Sequence, residues 1–229
     1  MSKLIYAADD ELNIRQLIQS FLEEEGYEVE TFETGDALLE KFKQKPSDLV
    51  ILDVMMPGTD GLSICNTIRK FSSVPILILT ARATTADYVT GITLGCDDYF
   101  TKPFSPVMLT MRVKAMFRRV ELDKAIPYDE KLEYGDIEIM PKQKVAKCKG
   151  VDLKLTITEL NVLQYLMEKN GNAVSRDELL EKIWGYTSEV ETRVTDDNIK
   201  RIRKKMNQQG SNVEIVTVWG YGFKLAIKE

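Results

Sequence analysis

A chain of 229 residues with 44% hydrophobic and 29% charged residues is long enough to bury two modest cores and is ordinary for a globular protein. It carries 31 Lys and Arg against 36 Asp and Glu, a formal net charge of −5, and no histidine. Any mechanism that uses the chain's own imidazole as base, ligand or phosphate carrier is therefore excluded. No apolar run approaches the ~20 residues of a membrane span, and the opening "MSKLIYAADDE" meets charge too soon for a signal peptide. Cys65, Cys96 and Cys148 form neither a metal spacing nor a disulfide framework, which points to reduced thiols and a cytoplasmic protein.

In chain order, the first half alternates. Short apolar runs at Leu4 to Ala8, Leu49 to Leu52 and Ile76 to Leu79 are separated by helical patterns. Leu12, Ile14, Leu17, Ile18, Phe21 and Leu22 share one helical face, and Gly26 ends that helix. The segment from Leu109 to Phe117 closes the half with another amphipathic helix. Strands alternating with helices imply an α/β doubly wound domain on a five-stranded parallel sheet, here 1–120. The polar stretch "ELDKAIPYDEK" contains Pro127, interrupts both periodicities and reads as a linker over 121–130. From 131 to 229 the grammar changes. Residues 132–155 alternate like an antiparallel sheet, helical patterns follow near 158–169, 175–184 and 195–207, and "VEIVTVWGYGFKLAI" ends the chain as two strands around a Gly-rich turn.

Charge follows the same division. Residues 1–120 hold 13 basic against 17 acidic side chains, and residues 131–229 hold 17 against 15. The negative total therefore does not argue against nucleic acid, because binding depends on local clusters.

In an open parallel sheet all strand C-termini lie along one edge, where ligands bind. Asp9-Asp10 follows the first apolar run, Asp53 the third, Thr80 the fourth, and Lys102 comes shortly after the short run Tyr99-Phe100. Singly, these residues would be a helix cap, a turn acid, a core aromatic and a solvated lysine. Together they place three acids, a hydroxyl and an amine on one edge. Converging carboxylates repel, so a pKa rises or a cation enters. An incomplete all-oxygen set suits Mg²⁺, which keeps waters and takes phosphate oxygens. Asp53, between the acids and Lys102, is the candidate nucleophile for an in-line phosphoryl transfer.

The motifs "DDE" at 9–11, "LDVMMPGTDG" at 52–61, "LTA" at 79–81 and "DDYFTKPF" at 97–104 resemble a bacterial response-regulator receiver domain, which has a flavodoxin-like fold. The resemblance implies Asp53 as phosphoacceptor. It puts Asp10, Asp53 and the Met55 carbonyl on Mg²⁺, with Asp9 acting through a water. Thr80 and Tyr99 are implied as a switch pair, and Lys102 precedes a cis Pro103. The implied donor is a phosphohistidine on a sensor histidine kinase, which agrees with the absence of histidine here. Haloacid-dehalogenase-type phosphatases also use an aspartyl phosphate, but they place a second Asp two residues on, where this chain has Met55. Holding the phosphate fits this sequence better than rapid turnover.

In the second domain, "TDDNIKRIRKKMN" at 195–207 places Ile199, Ile202 and Met206 on a buried face. Asn198, Arg201, Lys204 and Lys205 are expected to point away from it, flanked by Lys200 and Arg203. A half-buried, half-basic helix suits the DNA major groove, although a solvated basic face would look the same. With "LTITELNVLQYLM", "VSRDELLEKIWG" and "IVTVWGYGFKL" it resembles the winged helix-turn-helix domain of the OmpR/PhoB regulators, an α+β fold. The resemblance implies that Arg193, Asn198, Arg201, Lys204 and Lys205 meet double-stranded DNA, that Thr217, Trp219 and Tyr221 belong to the wing, and that the loop 185–192 faces RNA polymerase. Asn198 and Trp219 stand where the family often has His and Arg.

The same resemblance implies a phosphorylation-dependent homodimer on tandem half-sites, with Asp97, Asp98, Arg112 and Arg119 on its face. Thr90, Thr93, Val107 and Met108 occupy positions where charged residues are usual, so that face is expected to lean toward apolar contact. The expected function is a two-component response regulator controlling transcription, not an enzyme beyond its own phosphoryl transfer and slow autodephosphorylation. Two alternatives stay open: a DNA-binding regulator whose receiver site is vestigial, and a stand-alone phosphoryl-transfer enzyme.

Overall fold

A computed structural model of the protein describes residues 2–81, 95–125, 131–185 and 194–228, with side chains described to Arg118 in the helix that ends at Ala125. The chain divides into two compact units, Met1–Lys114 and Ala115–Glu229.

The first unit is built from β1 (Leu4–Ala8), α1 (Leu12–Glu24), β2 (Glu28–Phe32), α2 (Gly35–Gln44), β3 (Leu49–Asp53), α3 (Gly61–Arg69), β4 (Ile76–Thr80), β5 (Asp98–Thr101) and the start of α4 (Pro106–Ala125). Its strands form one sheet in the order β2-β1-β3-β4-β5, every neighbouring pair parallel. The continuous apolar runs become β1, β3 and β4, buried along their whole length because helices cover both faces. The edge strand β2 is less enclosed, with Val29 buried, Glu28 exposed and the rest half-buried. On one face Tyr6, Leu38, Phe42, Ile64 and Ile68 pack together, and each such side chain withdrawn from water contributes about 1.5–3 kcal/mol. Truncating Phe42, 2% exposed, would leave a cavity costing about 3–5 kcal/mol.

Parallel order sends the C-termini of β1, β3, β4 and β5 to one edge, as the alternation predicts. Helix α4 continues to Ala125, into the stretch expected as linker, while 126–130 lie outside the described residues.

The second unit contains β6 (Leu132–Tyr134), β7 (Ile137–Met140), a 3₁₀ turn (Pro141–Gln143), β8 (Val145–Cys148), β9 (Val151–Asp152), α5 (Ile157–Glu168), β10 (Val174–Ser175), α6 (Arg176–Leu179) prolonged by a π turn to Trp184, α7 (Val194–Gln208), β11 (Val213–Val218) and β12 (Gly222–Ile227). The antiparallel sheet β6-β7-β8-β9 precedes the helices, and β10-β12-β11 forms a second sheet whose β11–β12 hairpin is the wing. Thr156 and Glu159 close a capping box at the start of α5, each side chain meeting the other's backbone N–H. The core gathers Val162, Leu163, Trp184, Ile199, Ile202 and Phe223. Gly222 lets the wing reach β10, because a Cβ there would sit 1.9 Å from the Val174 carbonyl oxygen.

Candidate functional site

The edge of the parallel sheet brings Asp9, Asp10 and Asp53 together, one carboxylate oxygen of each lying within 4.8 Å of those of the other two. Asp9 is fully buried and Asp53 is 3% exposed, while Asp10 faces solvent. The turn out of β1 is fixed from both sides. The Asp9 N–H donates to the Phe32 carbonyl (3.1 Å), and Arg15 from the first turns of α1 donates to the carbonyls of Asp9 (2.7 Å) and Asp10 (2.9 Å). The Glu11 N–H donates to the Asp9 carboxylate (3.1 Å), a local turn bond; the N-cap of α1 is Glu11, with no side-chain cap hydrogen bond, so the acid does not cap the helix.

Lys102 enters from beyond β5. Its N–H donates to the Thr80 carbonyl (2.7 Å), and the Lys102–Pro103 peptide is cis. The ammonium lies 2.7 Å from the Asp9 carboxylate and 3.0 Å from that of Asp53. Burial pushes the Asp9 carboxyl above its usual range, and Lys102 offsets this only in part. For Lys102, burial works against the charge, but the hydrogen bonds to Asp9 and Asp53 outweigh it and raise its pKa. The second carboxylate oxygen of Asp53, Oδ1, is buried without a hydrogen-bond partner. Such an atom is expensive to leave unmatched, and the three carboxylates gathered here fit a divalent cation of the Mg²⁺ type.

The loop after Asp53 is braced at both ends. Gly61 allows α3 to approach β3, since a Cβ there would sit 1.9 Å from the Asp53 carbonyl oxygen, and its N–H donates to the Val54 carbonyl (3.2 Å). Asp60 caps α3 through the N–H groups of Leu62 (3.0 Å) and Ser63 (2.9 Å). Asp36, from α2, accepts from the Thr59 N–H (3.1 Å). Sequence reasoning missed these three supports, although a Gly directly after an Asp at a helix start was a usable sign of the cap. The Met55 side chain points to solvent, 52% exposed. Thr80 is buried and Tyr99 half-buried. Ile78 pairs with Tyr99 across β4 and β5, so Thr80, two residues on, shares the sheet face of Tyr99.

Of the residues expected on a dimer face, Asp97, Asp98 and Arg112 are buried and engaged within the chain. Asp97 is 1% exposed, accepting from Arg69 (2.6 Å) and from the Ile76 N–H (2.9 Å). Asp98 is equally buried and receives the Arg112 guanidinium (3.0 Å), which also lies over the Phe100 ring at 4.5 Å. These three side chains tie helices to the sheet inside one chain, because a buried carboxylate must be met where it stands. The Arg119 side chain and residues Thr90 and Thr93 lie outside the described residues. Val107 (60%) and Met111 (55%) form the exposed apolar ridge of α4, with Met108 half-buried beside it.

In the second unit α7 presents a different face from the one expected. Asn198 is fully buried and Arg201 is 8% exposed. Asn198 donates to the Val194 carbonyl (2.8 Å) and accepts from Arg201 (2.8 Å). Arg201 Nε lies 3.1 Å from Glu159, and Lys205 donates to Glu159 (2.6 Å) and to the Lys154 carbonyl (2.7 Å). The expected seam of Ile199, Ile202 and Met206 is there, but a second row, Val194–Asn198–Arg201, is buried alongside it because the carboxylate of Glu159 compensates its charge. The solvent-facing cations of the helix are Lys200 and Lys204. Arg203 is half-buried and turns to the wing, donating to the Ile215 carbonyl (2.8 Å) and to the Thr217 hydroxyl (2.9 Å). Thr217 is thus engaged within the chain. At the wing tip Trp219 is 92% exposed and Tyr221 49% exposed. Arg193 and residues 186–192 lie outside the described residues.

Residues 5–114 match the family described as response regulator receiver domain, and residues 150–225 match that described as transcriptional regulatory protein, C terminal. "Probable transcriptional regulator ycf27" of Cyanophora paradoxa is 40% identical over 228 residues, covering 96% of this chain and 95% of the relative. "Alkaline phosphatase synthesis transcriptional regulatory protein PhoP" of Bacillus subtilis (strain 168) is 39% identical, covering 98% and 97%. Among solved structures, the response regulator DrrB, described as a Thermotoga maritima OmpR/PhoB homolog, is 31% identical with a TM-score of 0.53 over 100% of both chains. A point mutant of RitR gives a TM-score of 0.80 over 99% of this chain and 100% of its own, at 24% identity, a likeness of fold.

Proposed function

Because the chain belongs to the two-component response regulators that join a receiver to an OmpR/PhoB-type DNA-binding domain, we propose that a phosphoryl group accepted by Asp53 sets how the C-terminal domain engages DNA. The observation that carries this reading is the buried edge where Asp9, Asp10, Asp53 and Lys102 converge and Asp53 Oδ1 has no hydrogen-bond partner.

Asp53 is the nucleophile toward a phosphohistidine of a sensor kinase. Asp10, Asp53 and the Met55 carbonyl would hold Mg²⁺, with Asp9 acting through water; the ion supplies neutralisation of phosphate charge. Lys102, already beside Asp53, meets a phosphoryl oxygen as a point charge. Thr80, near the end of β4, donates its hydroxyl to another oxygen, and Tyr99 on the same sheet face follows it as the second half of a switch. The phosphate need bias that two-state element by only a few kcal/mol. No acid stands two residues past Asp53, so the chain's own dephosphorylation is slow.

Lys200, Lys204, Trp219 and Tyr221 form the DNA-facing surface, with Arg193 beside it. The activated form pairs through the apolar ridge of Val107 and Met111, and the loop 185–192 meets RNA polymerase. The protein works in the cytoplasm, and among the described residues no helix is long and apolar enough to cross a membrane.

The test is incubation with acetyl phosphate and Mg²⁺, followed by sizing and DNA titration. Wild type takes up one phosphoryl group and Asp53→Asn none, with its fold unchanged. Labelling of Asp53→Asn at the wild-type rate would assign the nucleophile elsewhere, and DNA affinity indifferent to the label would mark the receiver site as vestigial.

A further inference from the structure

Glu159, in the second unit, is a charged side chain with none of its surface exposed. It does two jobs at once. Its Oε2 accepts from the Thr156 N–H (2.9 Å), completing the cap of α5, and from Lys205 (2.6 Å). Its Oε1 faces Arg201 Nε at 3.1 Å. Two cations of the helix that resembles a DNA reader are therefore engaged by one internal anion. Lys205 spends another of its three donors on the Lys154 carbonyl, and Arg201 spends one on Asn198. A phosphate that drew either cation away would strip a buried carboxylate of its compensation, which low local polarity makes costly. Lys200 and Lys204, one turn apart, are exposed and are not drawn into the Glu159 cluster.

Resting on the DNA-binding reading above, we infer that Glu159 is an internal counterion that positions α7 and withdraws Arg201 and Lys205 from DNA phosphate. The backbone contacts of this helix then fall to Lys200 and Lys204. Glu159 acts through the two basic residues and is a positioning residue. Deleting a phosphate contact lowers the slope of log affinity against log salt by about 0.9. Loss of stability alone does not change that slope.

The full chain is titrated into a fluorescein-labelled, mixed-sequence DNA duplex at several KCl concentrations. Lys204→Ala is expected to lower the slope by about 0.9, and Lys205→Ala to leave it unchanged. Glu159→Gln keeps an acceptor for the Thr156 N–H but removes the charge. In that background the slope steepens, and adding Lys205→Ala brings it back. A Lys205→Ala slope that falls as far as that of Lys204→Ala overturns the inference, and this comparison decides the matter even if Glu159→Gln does not fold. Absence of any salt-sensitive binding by the wild-type chain would instead defeat the DNA-binding reading itself.

Discussion

The Lys102 ammonium lies 2.7 Å from the fully buried carboxylate of Asp9, and the same nitrogen reaches Asp53. The chain thus carries a cation of its own between two acids that would otherwise repel each other. Lys102→Ala removes it and leaves both carboxylates uncompensated. Breaking a buried pair costs about 3–5 kcal/mol; some residual exposure of Lys102 reduces this to roughly 2–3 kcal/mol at neutral pH. The raised pKa of Lys102 fixes the sign. Its contribution is complete below the ordinary lysine value of 10.5 and is lost as pH climbs through the folded value. Urea denaturation with and without Mg²⁺ checks this: the variant gains more from the ion than wild type does. Equal gains would mean the acids and Lys102 are not one electrostatic unit.

Asp98 and Arg112 make a buried pair within one chain. Arg112→Ala therefore lowers stability by about 3–5 kcal/mol through the bared carboxylate, equally at low and high protein concentration. Melting followed over a wide dilution series is the measurement. A loss that grows as the protein is concentrated would return these residues to an intermolecular role.

The cap at the start of α3 gives a pH-dependent prediction. Asp60→Ala is expected to lose about 1 kcal/mol. Burial opposes the charge of Asp60, but the Ser63 hydroxyl and the N–H groups of Ser63 and Leu62 together hold its pKa below 3.8. A lowered carboxyl stabilises above its unfolded value and loses that contribution as pH falls through the folded one. The gap between wild type and variant is thus constant at neutral pH and narrows below about pH 3.8. A gap that widens with acid would contradict the cap.

Trp184 is fully buried, and Trp219 is the exposed indole at the wing tip. DNA binding should therefore change the emission of Trp219 alone. Trp219→Phe abolishes the fluorescence response to duplex DNA, whereas Trp184→Phe preserves it. Trp219→Ala weakens binding by about 1–2 kcal/mol if the ring is half-covered. An unaltered response in Trp219→Phe would take the wing tip off the DNA.

The strand-tip acids were legible because period and polarity sufficed: an apolar run ending in Asp can only deliver it to the edge where its parallel neighbours end. Asp97, Asp98, Asn198 and Arg201 were not legible. A helical wheel fixes the centre of a buried stripe but not its width, and that width depends on Glu159, which belongs to a different helix. The capping-box spacing of Thr156 and Glu159 was the sign available, and it announces a helix start without revealing what else the carboxylate holds. Nor does an acid before a strand disclose whether its cation, here Arg69 or Arg112, comes from the same molecule.

Arg203 fastens α7 to the wing by gripping the backbone of β11 and the Thr217 hydroxyl while lying over Phe223. Helix and hairpin therefore form a jaw of preset gape. A rigid jaw asks the duplex to do the conforming, and sequences differ in how readily their grooves narrow or their steps bend. Base pairs that no side chain touches would then still be selected, by how easily they let the double helix fit the opening.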